Sequence, residues 1–234
     1  MKLHRFYVEG IADKNGPLEL TRHLWVQDKR LVNQWLRVLR FRPGDELVLF
    51  NGQADKLYKI TKVEEFALEL QMVTELEPKL PKVRVYLFWS LLKQDKNEWV
   101  IQKCTELGVT NFIPLTSERT VSTGFKLQRA VAIAIEAAEQ CGRSDIPHIR
   151  EPISLVEAIE EYSSKIDLFI CDKSDTQFKN PTSDYGVMVG PEGGWSEHEH
   201  QLFNDKKLNF LDLHDNTLRA ETASIVAVTK LLST

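Results

Sequence analysis

The sequence predicts an α/β protein in which a small β-rich domain precedes a larger domain built around a mostly parallel sheet. Three observations carry this prediction. The first 73 residues are mainly strand-like, with a single helical segment. After residue 82, short apolar strands alternate with amphipathic helices, a pattern typical of a sheet covered on both faces. A glycine-rich segment then joins a buried strand to a helix, where open α/β sheets hold their ligands.

Composition agrees with a globular protein, since 42% of the 234 residues are hydrophobic and 27% are charged. We expect a cytoplasmic location without membrane contact, because the chain has no apolar run long enough for a signal peptide or a spanning helix. Cys104, Cys141 and Cys171 lie far apart without a CxxC pair, which favours buried thiols over disulfides or a zinc site.

Charge is distributed unevenly along the chain. The net charge is −4. Residues 1–73 hold 12 Lys and Arg against 10 Asp and Glu, a balance of +2, whereas the remaining residues hold 18 against 24, a balance of −6. A basic first part favours an anionic partner for that part of the chain, although chance alone could produce the difference.

The first domain is predicted over residues 1–73. A helix is expected over residues 28–40, where apolar residues recur at helical spacing, and Pro43-Gly44-Asp45 should end it in a turn. The strand ELVLF follows, and Asn51-Gly52 should turn it into a hairpin with the strands LYKITKVE and FALELQMV. Short strands, tight turns and one helix together predict a small β-barrel.

A linker is predicted over residues 74–82, which contain two prolines and no apolar periodicity. The second domain, residues 83–234, should then alternate strands with helices. Asp95 and Glu98 resemble a capping box for a helix that ends at Gly108, and a longer helix should end at Gly142. The later strands are predicted at IDLFIC, GVMV and NFLDL, with a final helix through ETASIVAVTKLL.

The segment VGPEGGWSEHE, residues 189–199, is the first candidate for a ligand site. Ser196 and Glu199 match a capping box, so a helix should begin there, and Gly193 and Gly194 leave the preceding backbone open to a ligand. No GxxxxGK[ST] or GxGxxG motif occurs, and the carboxylate of Glu192 would repel an anion, so a neutral or cationic ligand fits better than a phosphate. An ordinary tight turn is the alternative.

The segment LHDNTLRAETASIVA, residues 213–227, is the second candidate. A polar loop follows a strand, and Arg219 and Glu221 then stand at the mouth of an apolar helix. Taken alone, an acidic residue near the positive end of a helix is common and has no functional meaning.

Together these segments resemble those of a known enzyme family. VGPEGGWSEHE and LRAETA, preceded by KNEWVIQKCTELGV, IPLTSERT and EAAEQCGRSDIP, are similar to motifs of SPOUT-class RNA methyltransferases, specifically the RsmE-type enzymes that methylate N3 of uridine in 16S ribosomal RNA. The resemblance covers essentially the whole chain. It implies a PUA-like N-terminal barrel for RNA, a SPOUT α/β domain with a deep trefoil knot, S-adenosylmethionine as cofactor, and a homodimer.

The resemblance and the chemistry of the reaction together predict site residues. Uridine-N3 methylation leaves negative charge on the uracil, so Arg219 is expected to stabilise that charge as a catalytic residue, with Glu221 orienting Arg219 or its loop. Arg30, Arg37, Arg40 and Arg42 are expected to contact RNA phosphates, with a solvated helix face as the alternative, and Arg5 resembles the family's N-terminal basic residue and is a candidate for the same role. The residues expected to bind S-adenosylmethionine are Cys171, Gly190, Pro191, Glu192, Gly193, Gly194, Leu213, Asn216 and Leu218.

The chain departs from the family pattern in its last loop. His214 stands where the family usually has glycine, Asn216 stands near a usual basic residue, and Thr217 replaces isoleucine. The exact path of this loop is therefore open. We expect no metal site, because His198 and His200 are two residues apart on a helix and point to different faces.

Two alternatives to uridine-N3 methylation remain at this stage. The chain could be a SPOUT enzyme that methylates another nucleotide or a ribose 2′-OH. It could also be a non-catalytic RNA-binding assembly factor, although a pure binding protein would not need the GPEGG and LRAETA segments of a cofactor cleft.

Overall fold

The structure is a computed structural model that describes residues 3–8, 12–13, 16–17, 19–121, 124–173 and 184–232. Two compact units are present. The first comprises residues 1–80 and 138–146, and the second comprises residues 81–137 and 147–234. Within the described residues, no helix has both the length and the apolar character needed to span a bilayer.

The first unit is built around a five-stranded sheet with the order β1-β5-β6-β7-β4. Strands β1 and β5 are parallel, and the other neighbours are antiparallel. Its elements are β1 His4–Tyr7, β2 Ala12–Asp13, β3 Gly16–Pro17, β4 His23–Val26, α1 Lys29–Asn33, a π-helical continuation Gln34–Val38, β5 Glu46–Phe50, β6 Asp55–Glu64 and β7 Ala67–Leu76.

The predicted helix and hairpin of this unit are confirmed. Asp28 caps α1 by accepting a hydrogen bond from the backbone N–H of Leu31, and the helix buries Leu31 and Trp35 in the core of the unit. Asn51 closes the β5–β6 hairpin, because its side chain accepts hydrogen bonds from the next two backbone N–H groups beyond Gly52. The PUA-like character and the boundaries of the domain stay predictions. Strand β7 runs to Leu76, three residues into the predicted linker.

Arg5 has a structural position in this unit rather than a surface one. Its Nη2 lies 2.6 Å from Oδ2 of Asp55, which is 2% exposed, and the hydroxyl of Ser144 donates to the same oxygen at 2.9 Å. The Arg5 guanidinium also stacks on the ring of Phe50. These contacts hold one end of the Arg5 guanidinium within the unit, and its predicted contact with RNA stays a prediction. They also give the EQCGRSDIP motif a structural role, through Ser144.

The second unit contains a parallel sheet with the order β10-β9-β8-β13-β12-β14, and β11 also pairs with β9. Every pairing in it is parallel. Its elements are β8 Val85–Ser90, α2 Gln94–Leu107, β9 Asn111–Thr116, α3 Leu127–Cys141, β10 His148–Ile149, β11 Ile153–Ser154, α4 Leu155–Tyr162, β12 Asp167–Cys171, β13 Tyr185–Val189, α5 Glu197–Asp205, β14 Asn209–Leu211 and α6 Ala220–Leu232.

Two separate cores cover the faces of this sheet, one containing Trp89 and Phe112 and the other containing Phe88 and Trp195. The predicted α/β class with a mostly parallel sheet is therefore confirmed, and the trefoil knot stays a prediction. Gly108 ends α2 in the left-handed conformation that the sequence predicts.

Two expectations were wrong, and one helix was not predicted. Helix α2 begins after Lys93 without a side-chain cap, and Glu98 instead binds Arg129, so the capping box at Asp95 and Glu98 is absent. Helix α4 was not predicted, although its capping box in SLVE gives a usable sequence signal. Of the three cysteines expected to be buried, Cys104 is buried, Cys171 is partly buried and Cys141 is exposed.

Candidate cofactor site

Three loops of the second unit enclose one cavity of about 550 Å³, a size typical of small-molecule sites. They follow β12 (residues 171–173), β13 (residues 189–195) and β14 (residues 212–219). These strands are neighbours in a parallel sheet, so their carboxyl ends lie at one edge. The predicted residues Cys171, Gly190, Pro191, Glu192, Gly193, Gly194, Leu213, Asn216, Leu218 and Arg219 all line this cavity.

The three glycines of the GPEGG loop differ in how well their positions would tolerate another residue. A side chain at Gly190 would meet the ring of Trp195 at 3.1 Å, which is tighter than ordinary contact. Gly194 has a φ of +67°, a conformation that other residues rarely adopt. A Cβ at Gly193, by contrast, would lie in ordinary contact with the side chain of Arg119. The structure therefore disfavours a side chain at 190 and at 194 but leaves room for one at 193, where close approach of a ligand stays the predicted reason for glycine.

Arg119 anchors the GPEGG loop from the segment after β9. Its Nη1 donates to the carbonyl oxygen of Gly193 at 2.9 Å and to that of Trp195 at 3.0 Å. The predicted capping box of α5 is confirmed. Glu199, which is buried, closes that box with Ser196 and also accepts a hydrogen bond from the backbone N–H of Glu118. The IPLTSERT segment thus holds the carboxyl end of the loop and the start of α5.

Lys96, in the first turn of α2, connects the two segments that suggested a ligand site. Its Nζ lies 3.0 Å from Oε1 of Glu192 and 3.5 Å from Oε2 of Glu221. This position follows from the packing of α2 against α6. Burial opposes ionisation of Glu192, but hydrogen bonds from Lys96 and from the backbone outweigh it and lower the pKa of the carboxyl. The hydrogen bond to Glu192 raises the pKa of the Lys96 ammonium.

Glu221 and Arg219 are not paired with each other in the structure. Glu221 is 16% exposed, and its Oε2 is buried within ion-pair range of Lys96 but without a hydrogen bond. Arg219 is exposed at the cavity, and its guanidinium makes no hydrogen bond or ion pair with any residue that the structure describes. A guanidinium without a protein partner at a cavity wall is available to a substrate. The simpler expectation, that the two side chains only cap the helix and bind each other, is not what the structure shows.

The loop with the family departures is held by the side chain of His214 and by Lys173 from the loop after β12. Nδ1 of His214 accepts a hydrogen bond from the backbone N–H of Asn216 at 3.0 Å, and Nζ of Lys173 donates to the carbonyl oxygen of His214 at 2.6 Å. Histidine at position 214 therefore supplies an internal acceptor that glycine would lack. Histidine in place of glycine at 214 therefore changes the contacts that hold the loop, and the loop still lines the cavity.

At the end of β12, Cys171 lines the cavity beside two charged residues, Asp172 and Lys173. Nε1 of Trp195 donates to the carbonyl oxygen of Cys171 at 3.3 Å, which joins the β12 and β13 loops. Burial raises the pKa of the Cys171 thiol far above its ordinary value, so the thiol stays protonated. Cys171 is accordingly a wall residue and not a nucleophile.

The histidines of α5 contact different carboxylates, as expected for residues two apart. Nδ1 of His198 lies 2.9 Å from Glu118, and Nε2 of His200 lies 3.1 Å from Asp172. No group of three or more potential metal ligands occurs among the described residues.

In the first unit, the predicted RNA contacts Arg37, Arg40 and Arg42 are exposed.

Comparison with known proteins identifies the family. The sequence model of the RNA methyltransferase domain family matches residues 78–232. The chain belongs to the RNA methyltransferase family. It is also 29% identical to ribosomal RNA small subunit methyltransferase E of Aquifex aeolicus over 99% of this chain and all of that protein, and 30% identical to the Synechocystis protein of that name over 83% and 68%. The resemblance to RsmE-type enzymes is thereby confirmed.

Solved structures of RNA methyltransferase family relatives extend the comparison to the cofactor. The crystal structure of ribosomal RNA small subunit methyltransferase E from Neisseria gonorrhoeae, bound to S-adenosyl methionine, superposes with a TM-score of 0.87. It is 28% identical and covers 99% of this chain and 98% of its own. The likeness therefore spans both units.

Sequence reasoning missed three residues that organise the site: Lys96, Arg119 and Lys173. Each is a cation that joins elements distant in the chain. Lys96 and Arg119 lie in the KNEWVIQKCTELGV and IPLTSERT stretches, so the resemblance marked their segments without giving their roles.

Proposed function

We propose that this RNA methyltransferase uses S-adenosylmethionine to methylate N3 of a uridine in small-subunit ribosomal RNA. The observation that carries the proposal is the convergence of the GPEGG and LRAETA segments on one cavity, with Arg219 at its wall and without a partner among the described residues. Relatives named ribosomal RNA small subunit methyltransferase E, one of them bound to S-adenosyl methionine, support it.

The cavity fits the proposed cofactor in size and chemistry. Leu213, Leu218 and Trp195 give it apolar surfaces for a nucleoside base, and the glycine backbone allows close approach. Carboxylates at Glu192 and Asp172 suit a cationic ligand better than a phosphate. When bound, S-adenosylmethionine supplies an electrophilic methyl group. Glu192 is already paired with Lys96, so its interaction with a sulfonium stays a prediction.

Methylation of uridine N3 requires the protein to stabilise an anionic form of the base. N3 of uracil carries a proton at neutral pH, so attack by N3 requires loss of that proton and leaves negative charge on O2 and O4. Arg219 can offer two N–H donors to one edge of the base and keeps its charge at any working pH. Lys96 lies within ion-pair range of Glu221 in the first turn of α6, two residues after Arg219.

The partners follow from this activity. Small-subunit ribosomal RNA would be the substrate, either free or within the assembled subunit. We propose a homodimer from the family resemblance, and a cytoplasmic location stays a prediction.

The function is tested by nucleoside mass spectrometry of ribosomal RNA from cells with and without this gene. The proposal requires that 3-methyluridine in small-subunit RNA disappear without the gene and return with it. Loss of a 2′-O-methyl or another base modification would instead support a different SPOUT activity. No change in any modification would favour a non-catalytic assembly factor.

The role of Arg219 is tested by Arg219→Ala. We expect kcat to fall by ~10²–10³, because one preorganised group that stabilises transition-state charge is lost. Affinity for S-adenosylmethionine and the melting temperature should stay close to those of the wild type, since Arg219 has no described protein partner. Arg129→Ala, which removes an exposed arginine bound to Glu98, is the matched control. Near wild-type turnover, or unfolding, would refute the assignment.

The homodimer is tested by light scattering of the purified protein. A mass of twice the 27.0 kDa chain is expected. A clean monomer that methylates RNA at full rate would show that the dimer is not needed.

A further inference from the structure

A groove on the first unit is separate from the cofactor cavity. It lies between the helical segment of residues 29–38 and the β6–β7 turn, and its volume is about 300 Å³, the lower end of the range for ligand sites. Val32, Leu36 and Phe66 form its apolar surface, and Lys29, Arg37 and Glu65 stand around them. We call it the Phe66 groove.

Phe66 is the unusual residue of this groove. It occupies one of the two turn positions between β6 and β7, where polar residues and glycine are usual. Its side chain is 69% exposed. The first unit already has a core that includes Trp35 and Tyr58, and Phe66 is not part of it. An aromatic ring held at a hairpin tip beside an apolar groove is placed to contact something outside the chain.

The charges beside the groove indicate what that ligand is. Residues 28–45 contain five cations, Lys29, Arg30, Arg37, Arg40 and Arg42, and two acids, Asp28 and Asp45. Both acids accept hydrogen bonds from backbone N–H groups within the segment. The five cationic side chains are exposed and have no hydrogen bond or ion pair with any described residue. This excess of uncompensated positive charge, in a chain of net charge −4, favours a polyanion over an apolar protein segment.

We propose that the Phe66 groove holds one unpaired base of the substrate RNA, stacked on the Phe66 ring. Single-stranded RNA is commonly recognised by splayed bases on aromatic side chains, with phosphates on nearby arginines and lysines. Lys29 and Arg37 would take the flanking phosphates. Glu65 would repel a phosphate but can accept a hydrogen bond from a base amino or imino group, so the base edge points toward Glu65. This inference rests on the proposed function, because it assigns a second contact for the same RNA.

The test uses fluorescence anisotropy to measure how tightly the protein binds an oligouridylate of about 12 nucleotides. This length lies within the ~4–16-nucleotide footprint of single-strand binding modules. Phe66→Ala should weaken binding by about 5- to 150-fold, the equivalent of losing one stacked base. Phe66→Trp should keep it, because the ring is kept. Val38→Ala removes an equally exposed apolar side chain outside the groove and is the matched control.

Two further measurements separate the base from the phosphates. Arg37→Gln should reduce the slope of log affinity against log salt by about 1, whereas Phe66→Ala should leave that slope unchanged. The same chain length built of abasic nucleotides should bind wild type and Phe66→Ala equally. S-adenosylmethionine affinity, measured by calorimetry, should be unchanged in every variant.

The outcomes are distinguishable from failure of the proposed function. Wild-type affinity of Phe66→Ala for oligouridylate would overturn the inference, even if the enzyme methylates ribosomal RNA normally. If that variant binds oligouridylate normally but loses activity only on assembled subunits, the groove holds a protein segment and the inference is again overturned. A wild-type protein that binds oligouridylate through Phe66 but transfers no methyl group would refute the proposed function alone.

Discussion

Arg119 offers the most direct test of how the cofactor loop is held. Arg119→Ala removes two hydrogen bonds, to the carbonyl oxygens of Gly193 and Trp195. Hydrogen bonds from a charged donor contribute ~1.5–3 kcal/mol each when they are buried. Arg119 is exposed, so solvent screening reduces the pair to about 1–2 kcal/mol together.

That free energy sets the expected loss of affinity. If S-adenosylmethionine binds the loop in the conformation that Arg119 holds, the apparent Kd should rise by up to about 5- to 30-fold, because the competent loop is then less populated. At saturating cofactor kcat should be largely retained, since binding restores the loop. Arg119→Lys should give an intermediate loss, because an ammonium cannot reproduce the planar donor group.

Isothermal titration calorimetry with purified variants gives the Kd, and thermal melting checks that each is folded. Arg129→Ala is again the control, because it removes an exposed arginine that binds a side chain and not the loop. A folded Arg119→Ala protein with wild-type Kd would refute the anchoring role. A fall in kcat with unchanged Kd would show that Arg119 acts on the RNA step instead.

Two other substitutions test the scaffold of the site. Lys96→Met removes the cation shared by Glu192 and Glu221, so cofactor affinity and turnover should both fall. Lys96→Arg should retain part of each, and a Lys96→Met enzyme equal to wild type would contradict the role of Lys96. Gly186→Ala places a Cβ 2.7 Å from Cε2 of Phe88 and should lower the free energy of unfolding by about 1–3 kcal/mol in denaturant titrations. Gly124→Ala, where nothing lies within 4 Å, should be near neutral, and equal effects of the two would show that packing at Gly186 is not tight.

Secondary-structure elements were predictable wherever residues close together in the sequence specify them. The Asn51-Gly52 hairpin, the helix stop at Gly108 and the capping box at Ser196 depend on residues a few positions apart, and each is present. The box at Asp95 and Glu98 is absent because the helix begins at Gln94, which places Asp95 inside the first turn, and Glu98 binds Arg129. Helix α4 was missed although its cap is equally local.

The sequence by itself determined the α/β class, the chemistry of the GPEGG and LRAETA segments, and the likeness to a family. Only the tertiary structure decided how these segments are joined. Lys96 reaches Glu192 across 96 positions and Arg119 reaches Gly193 across 74, so no local pattern could reveal either contact. Arg5 was predicted to contact RNA from its likeness to the family's N-terminal basic residue, and the sequence carries no sign of its ion-pair partner. Its partner Asp55 lies 50 residues away, and the sheet brings the two together through the pairing of β1 with β5 and of β5 with β6.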